Sequence, residues 1–136
     1  MSPSAKILIV DDDPLLQELL NDTLSAVGYQ TLSTSNATEA LGLLQKSDID
    51  LVITDIKMPD INGFQLLKLV RLHYPQMPVI FISGYATPEM ISAAGPDGFL
   101  LKPFRIAQIE ELIEKTLEVK RDIHLNTDAL AISSSD

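Results

Sequence analysis

Three short apolar runs constrain this chain more than any other feature: residues 6–10 (KILIV), 50–54 (DLVIT) and 78–82 (PVIFI). Each is rich in β-branched side chains and is followed at once by a polar residue, respectively Asp11, Asp55 and Ser83. Continuous apolar runs of this length read as strands buried on both faces, which is the habit of a parallel sheet. A parallel sheet needs a crossover between successive strands, so helical patterns should fill the gaps.

They do. After the first run, Asp13 suits a helix N-cap and Pro14 the first helical position. Leu15, Leu16, Leu19, Leu20, Leu24 and Val27 follow at helical spacing until Gly28 ends the helix. Residues 30–34 (QTLST) form a weaker strand, suited to a position near an edge. Asn36 with Glu39 resembles a capping box in its amide form and opens a helix through about Lys46. Beyond Asp55, a loop with Pro59 and Gly63 leads to a helix carrying Phe64, Leu66, Leu67, Leu69, Val70 and Leu72, with Pro75 and Pro78 bracketing its end. A short helix over 88–94, a strand over 98–101 (GFLL) and an amphipathic helix over 106–119 complete the series. Five strands alternating with five helices argue for an α/β sandwich around a parallel sheet. No period suggests a solenoid. Residues 1–121 read as one domain, and 122–136, which lose periodicity and finish in Ser133-Ser134-Ser135-Asp136, as a tail or truncated linker.

Composition narrows the function classes. At 136 residues and 46% hydrophobic, the chain can build one sizeable core. A formal charge of −9 with only ten Lys and Arg, scattered along the sequence, disfavours both nucleic acid and anionic membranes as direct partners. The lack of cysteine removes disulfides, thiolate metal sites and thiol nucleophiles. The early apolar run is too short for a signal peptide or a membrane span, so a soluble cytoplasmic protein is expected.

In open parallel sheets, functional groups gather beyond the carboxyl ends of the strands. Asp11-Asp12-Asp13 follows strand one, Asp55 strand three, Ser83 strand four and Lys102 strand five. Taken singly, each has an ordinary explanation: helix capping for the acids, a turn for Ser83, a solvated charge for Lys102. Together they do not. Capping needs one carboxylate, and three adjacent ones repel unless a hard cation with oxygen ligands relieves them. With strands one and three as neighbours, Asp55 would lie beside Asp11 and Asp12. An ammonium at Lys102 would balance the cluster and could grip a phosphoryl oxygen as a point charge. These groups suit phosphoryl transfer.

The stretches ILIVDDDP, LVITDIKMPDINGF, VIFISGYA and GFLLKPF resemble the successive motifs of response-regulator receiver domains, in order, from residue 5 to about 120. The resemblance implies a flavodoxin-like (βα)5 three-layer sandwich with sheet order 2-1-3-4-5. It makes Asp55 the phosphoacceptor of a two-component phosphorelay. Asp12, with Asp11 beside it, becomes a ligand of Mg2+ (or Mn2+), together with the Asp55 carboxylate and the backbone carbonyl of Lys57. Ser83 and Lys102 would bind the phosphoryl oxygens, Phe99 takes the switch-aromatic position, and Lys102-Pro103 would be a cis peptide. A histidine kinase or phosphotransfer protein is the implied donor, and a downstream target or output domain the implied reader. The chain would then signal rather than act as an enzyme, with at most self-catalysed phosphotransfer and dephosphorylation. His73, at a helix end, and His124, in the tail, are poor candidates for the phosphohistidine.

Departures from the family pattern matter too. Lys57 and Tyr85 stand where the family tunes phosphate lifetime; neither is an acid or amide suited to orienting water, so slow self-dephosphorylation is expected. Phe99 lacks a hydroxyl, so its switch must run on packing. The Ser83–Lys102 segment is about three residues shorter than usual, close to one helical turn. Pro88 can only start the fourth helix and Gly95-Pro96 must end it, so a fourth helix of about two turns is expected. Docking or dimerisation through that helix, strand five and helix five should be weakened. Two rival readings compete with this one. A haloacid-dehalogenase-type phosphatase would use Asp11 as nucleophile, but it leaves Asp55 and KMPDINGF unexplained, lacks a late acidic pair and needs a larger core. The other is a receiver-like interaction module that never carries phosphate.

Overall fold

The computed structural model describes residues 5–119. Its centre is a five-stranded parallel sheet: β1 (Lys6–Val10), β2 (Gln30–Thr34), β3 (Leu51–Asp55), β4 (Val79–Ser83) and β5 (Gly98–Leu101). The spatial order is β2-β1-β3-β4-β5, so the connection reverses direction after β2 and leaves a crevice beyond β1 and β3. Helices α1 (Pro14–Ala26), α2 (Ala37–Lys46), α3 (Gly63–His73), α4 (Pro88–Ala94) and α5 (106–119) connect and cover the strands. The expected tail, 122–136, and His124 within it lie outside the described residues.

Side chains on the strands alternate between two cores, as the pleat requires. Leu8, Val10, Val52, Val79 and Phe81 face one side, packing with Ala40, Leu44, Leu66, Leu67 and Val70 of α2 and α3. Ile7, Ile9, Leu51, Ile53, Ile80 and Ile82 face the other, packing with Leu20 and Leu24 of α1 and Ile109 and Ile113 of α5. Both faces of the central strands are therefore dry, which is why their sequences run apolar without a break. β2 is an edge strand, in keeping with its polar residues.

The helix ends follow local chemistry. Asp13 accepts from the amides of Leu15 and Leu16, and Pro14 opens α1. Gly28, at φ 104°, supplies the left-handed turn after it. Asn36 caps α2 through the Glu39 amide, but the Glu39 carboxylate is bonded by the Thr34 hydroxyl instead of returning to Asn36. The reciprocal capping box forms at α3 instead, between Asn62 and Gln65. α4 has seven residues, capped by Thr87 and closed by Gly95 at φ 66°. The short fourth helix expected from the prolines is thus observed, and none of its residues is buried.

Three other expectations need correction. β3 and β4 each run one residue later than their sequence suggests, so Asp55 and Ser83 are the last residues of their strands. Asp50 turns its carboxylate onto the Lys6 amide, and Pro78 has no N–H to enter the ladder. Leu15, Leu19, Val27 and Leu72, counted among the helical apolar positions, are exposed, because the stripe each helix turns inward is narrower than its apolar set.

Candidate functional site

β1 and β3 are adjacent and in register, with Val10 opposite Thr54, so the residues that follow them emerge side by side. Carboxylate oxygens of Asp11, Asp12 and Asp55 lie within 4.8 Å of one another. Asp11 is fully buried, Asp55 nearly so, and Asp12 is exposed at the mouth. Lys102 arrives from the end of β5, and its Nζ donates to Asp11 Oδ2 at 2.9 Å and Asp55 Oδ2 at 3.0 Å. Its amide donates to the Ser83 carbonyl at 2.7 Å, which fixes the backbone from which it reaches. The Lys102–Pro103 peptide is cis, as expected.

The remaining carboxylate oxygens are aimed by backbone amides. Asp11 Oδ1 accepts from Asp13 N at 2.8 Å, while Asp55 Oδ1 accepts from Ile56 N at 2.7 Å and Lys57 N at 3.4 Å. Burial pushes the Asp11 carboxyl above its usual range, against the pull of Lys102 and the Asp13 amide. Burial also works against the Lys102 ammonium, but its bonds to Asp11 and Asp55 outweigh that, and its pKa rises. The two upward shifts in one ion pair are consistent because Asp11 has no exposed surface whereas the lysine side chain keeps 24%. Three carboxylates thus face one ammonium. That excess of negative charge, made of oxygen donors and open to solvent at Asp12, fits a hard divalent cation.

The other expected site residues are placed differently. Ser83 is buried beside this cluster in the sheet, one residue past the Asp55–Ile82 pairing, but its hydroxyl is turned onto its own loop. Oγ donates to the Tyr85 carbonyl at 2.8 Å and accepts from the Tyr85 amide at 3.1 Å. Phe99 pairs with Phe81 across β4 and β5 and is half-buried against the core. Lys57 is exposed, and Tyr85 is exposed at 76%. His73 closes α3 on the surface.

A family model described as response regulator receiver domain matches residues 7–114. The chain belongs to that family. This receiver is 36% identical over 118 residues to sporulation initiation phosphotransferase F of Bacillus subtilis, covering 85% of this chain and 95% of that one. It is also 36% identical over 115 residues to the response regulator protein FleR of Pseudomonas aeruginosa, covering 82% of this chain but only 24% of FleR. The crystal structure of the response regulator TrrA from Thermotoga maritima in complex with Mg2+-BeF superposes with a TM-score of 0.76 at 31% identity, covering 82% of this chain and 98% of that one. Among the described residues, no helix of the receiver is long and apolar enough to cross a membrane.

Two contributors to the receiver's site escaped the sequence reading. Gln17, one turn into α1, donates through Nε2 to the Asp11 carbonyl and, at 3.4 Å, to Ser35 Oγ. Asp60 accepts from the first residues of α2. A glutamine near a helix start is a visible if weak signal. For Asp60 no local pattern points to partners more than twenty residues away.

Proposed function

We propose that Asp55 takes a phosphoryl group from a phosphohistidine on a partner histidine kinase or phosphotransfer protein, and that the modified receiver signals through a change of conformation. The observation that carries this reading is the single ammonium of Lys102 bridging Asp55 and Asp11 within a cluster of three carboxylates. In the transfer, an Asp55 carboxylate oxygen forms a bond to phosphorus as the phosphorus–nitrogen bond to imidazole breaks, leaving an acyl phosphate. Phosphoryl transfer asks the protein mainly for position and charge balance. The Ile56 and Lys57 amides hold one oxygen of Asp55 in place. Lys102 offers a positive charge that can pass from carboxylate to phosphoryl oxygen.

The Asp11, Asp12 and Asp55 carboxylates, with the Lys57 backbone carbonyl, would hold Mg2+ (or Mn2+). Such an ion, when bound, supplies positive charge against the acceptor carboxylate and the entering phosphoryl oxygens. Ser83 would give up its Tyr85 partner to bond the phosphoryl group, tugging the loop before α4, and Phe99 would repack in response. With Lys57 and Tyr85 unable to orient a water as an acid or amide would, self-dephosphorylation should be slow. The exposed two-turn α4 should offer a weakened surface for dimerisation or docking. The chain acts in this reading as a signalling switch, not as an enzyme with turnover on a free substrate.

Treatment with a small phosphodonor and Mg2+, followed by intact-mass and peptide analysis, tests the assignment. Modification is expected at Asp55 alone and should vanish in Asp55→Asn. Asp12→Ala should remove the Mg2+ dependence, whereas Lys102→Ala should still be modified but fail to change its NMR spectrum. Labelling retained in Asp55→Asn and lost in Asp11→Asn would overturn the reading in favour of an Asp11 nucleophile.

A further inference from the structure

The loop from Ile56 to Asn62 carries the two amides that aim Asp55, yet it belongs to no strand or helix. Its ends are fixed locally. Asp55 Oδ1 holds the near end, and the Gly63 amide, donating to the Ile56 carbonyl at 2.7 Å, holds the far one. Between them Asp60 reaches out of the loop to the first turn of α2. Its carboxylate accepts from Thr38 Oγ1 at 2.6 Å, Thr38 N at 3.3 Å and Ala37 N at 3.4 Å.

An exposed aspartate ordinarily keeps its freedom in water, and ordering it costs side-chain entropy. Asn36 serves only the Glu39 amide at 2.7 Å, so the Ala37 and Thr38 amides are left to a carboxylate that comes from another loop, and Asp60 caps α2 while it ties that loop to the helix. The start of α2 is itself anchored to the other half of the site. It follows directly on β2, whose last residue, Thr34, accepts at its carbonyl from the Asp11 amide at 3.0 Å. Gln17 ties Asp11 to Ser35 in the same turn. Asp60 therefore closes a circuit of bonded segments from the backbone of Asp11, through the β2–α2 turn, to the loop that aims Asp55. Lys102 closes the circuit on its other side.

We infer that Asp60, with Thr38 as its partner, is a positioning residue of the phosphoacceptor site, setting the aim of Asp55 and through it the cation affinity of the cluster. The inference rests on the proposed reading of Asp11, Asp12 and Asp55 as a Mg2+ site. The Thr38 hydroxyl, then the Ile61 amide, hold the Asp60 carboxyl down at about 2.

The test is a Mg2+ titration of the full chain, followed by amide NMR shifts, on the parent protein, Thr38→Val, Asp60→Ala, their combination and Asp12→Ala. Thr38→Val keeps the branched shape and deletes only the hydroxyl. Loss of one or two hydrogen bonds from the clasp should weaken Mg2+ binding about three- to tenfold. The combined variant should be no worse than Asp60→Ala, because both changes break one clasp. Asp60→Asn, which keeps an acceptor oxygen, should recover part of the loss. If Asp60→Ala does not fold, the Thr38→Val titration decides. Parent-like Mg2+ binding in Thr38→Val and in any folded Asp60→Ala, with binding lost in Asp12→Ala, overturns the inference and leaves the site reading standing. Parent-like binding in Asp12→Ala brings down the site reading itself, and the inference with it.

Discussion

β3 and β5 each deliver one charged group to the same point, Asp55 from one and Lys102 from just beyond the other, yet they sit in opposite surroundings. β3 lies in the middle of the sheet, and all five of its residues are buried. The helix that follows it, α3, buries Gly63, Leu66, Leu67 and Val70. β5 is an edge strand of four residues, none of them fully buried, and Leu101 is 53% exposed. The helix before it, α4, has no fully buried residue and leans on the core only through the half-buried Ile91 and Ala94. Local opening is easiest where few apolar contacts must be given up. Asp55 is held by the least yielding part of the molecule and so is Ser83 at the end of the fully buried β4, whereas Phe99 and Lys102 stand on or beside the more yielding β5. Under the proposed function, Phe99 and Lys102 would shift on modification without disturbing the strand that carries Asp55.

Matched substitutions can break or sharpen this contrast. The largest separation is expected at the register pair Phe81 and Phe99. Phe81 is fully buried and meets Phe64 edge to face at 5.4 Å, so Phe81→Ala should cost about 3–5 kcal/mol. The half-buried Phe99 should lose about 1–2 kcal/mol on the same truncation. Urea unfolding of both variants gives the difference, and equal costs would dissolve the contrast.

A smaller separation is expected between two glycines. A Cβ at Gly63 would stand 2.5 Å from the Asp55 carbonyl oxygen and 2.8 Å from Ile56 Cα, both backbone atoms that cannot step aside. At Gly98 the obstacle is the end of the Leu112 side chain, at 2.9 Å, which can change rotamer. Gly63→Ala should therefore cost about 1–3 kcal/mol and Gly98→Ala less than about 1 kcal/mol. Thermal melts of the two variants check the ranking.

The smallest effects lie at the two ends of the pH scale. Asp60, on the loop after β3, has its folded pKa lowered to about 2. Its contribution is therefore complete above the unfolded value of about 3.9 and is lost as pH falls through about 2. Asp60→Asn should flatten the acid arm of the stability profile in that window. Lys102 has its folded pKa raised, by hydrogen bonds to Asp11 and Asp55 that outweigh burial. Its contribution is complete below about 10.4 and fades as pH climbs through the higher folded value. Lys102→Met should lack this alkaline loss. Denaturation midpoints across pH would show both.

Much of the fold was legible because the central strands are dry on both faces, and such strands write themselves as KILIV, LVIT and VIFI. The two-turn α4 was legible for an equally local reason: Pro88 and Gly95 bound it whatever the tertiary context. Asp11, Asp55 and Lys102 could be brought together in advance because strand ends in a parallel sheet share one rim. Contacts decided by rotamer choice were not legible. Glu39 had two acceptable donors, and the Thr34 hydroxyl won over the Asn36 amide. Asn62 and Gln65 carry the same spacing as Asn36 and Glu39, and there the full box did form. Ser83 reads as a phosphoryl ligand, while its hydroxyl rests on Tyr85. Asp60 and Thr38 meet only because α2 and the β3–α3 loop are neighbours in space, which no short window of sequence records.

The ion pair that closes the site joins residues 91 apart in the sequence, Asp11 near the start and Lys102 near the end of the described domain. During synthesis, β1 and β3 can pair and bring Asp11, Asp12 and Asp55 together well before β5 has been made. Until then the carboxylates face each other without their ammonium. Contacts of such long sequence separation form late and slow the final step of folding. A chain ending before β5 would lack both that ammonium and the α5 side chains, Ile109 and Ile113, that cover one face of β1 and β3. Charge balance at the site therefore arrives only with the last strand, and the strand that completes the sheet is also the one that completes the cluster.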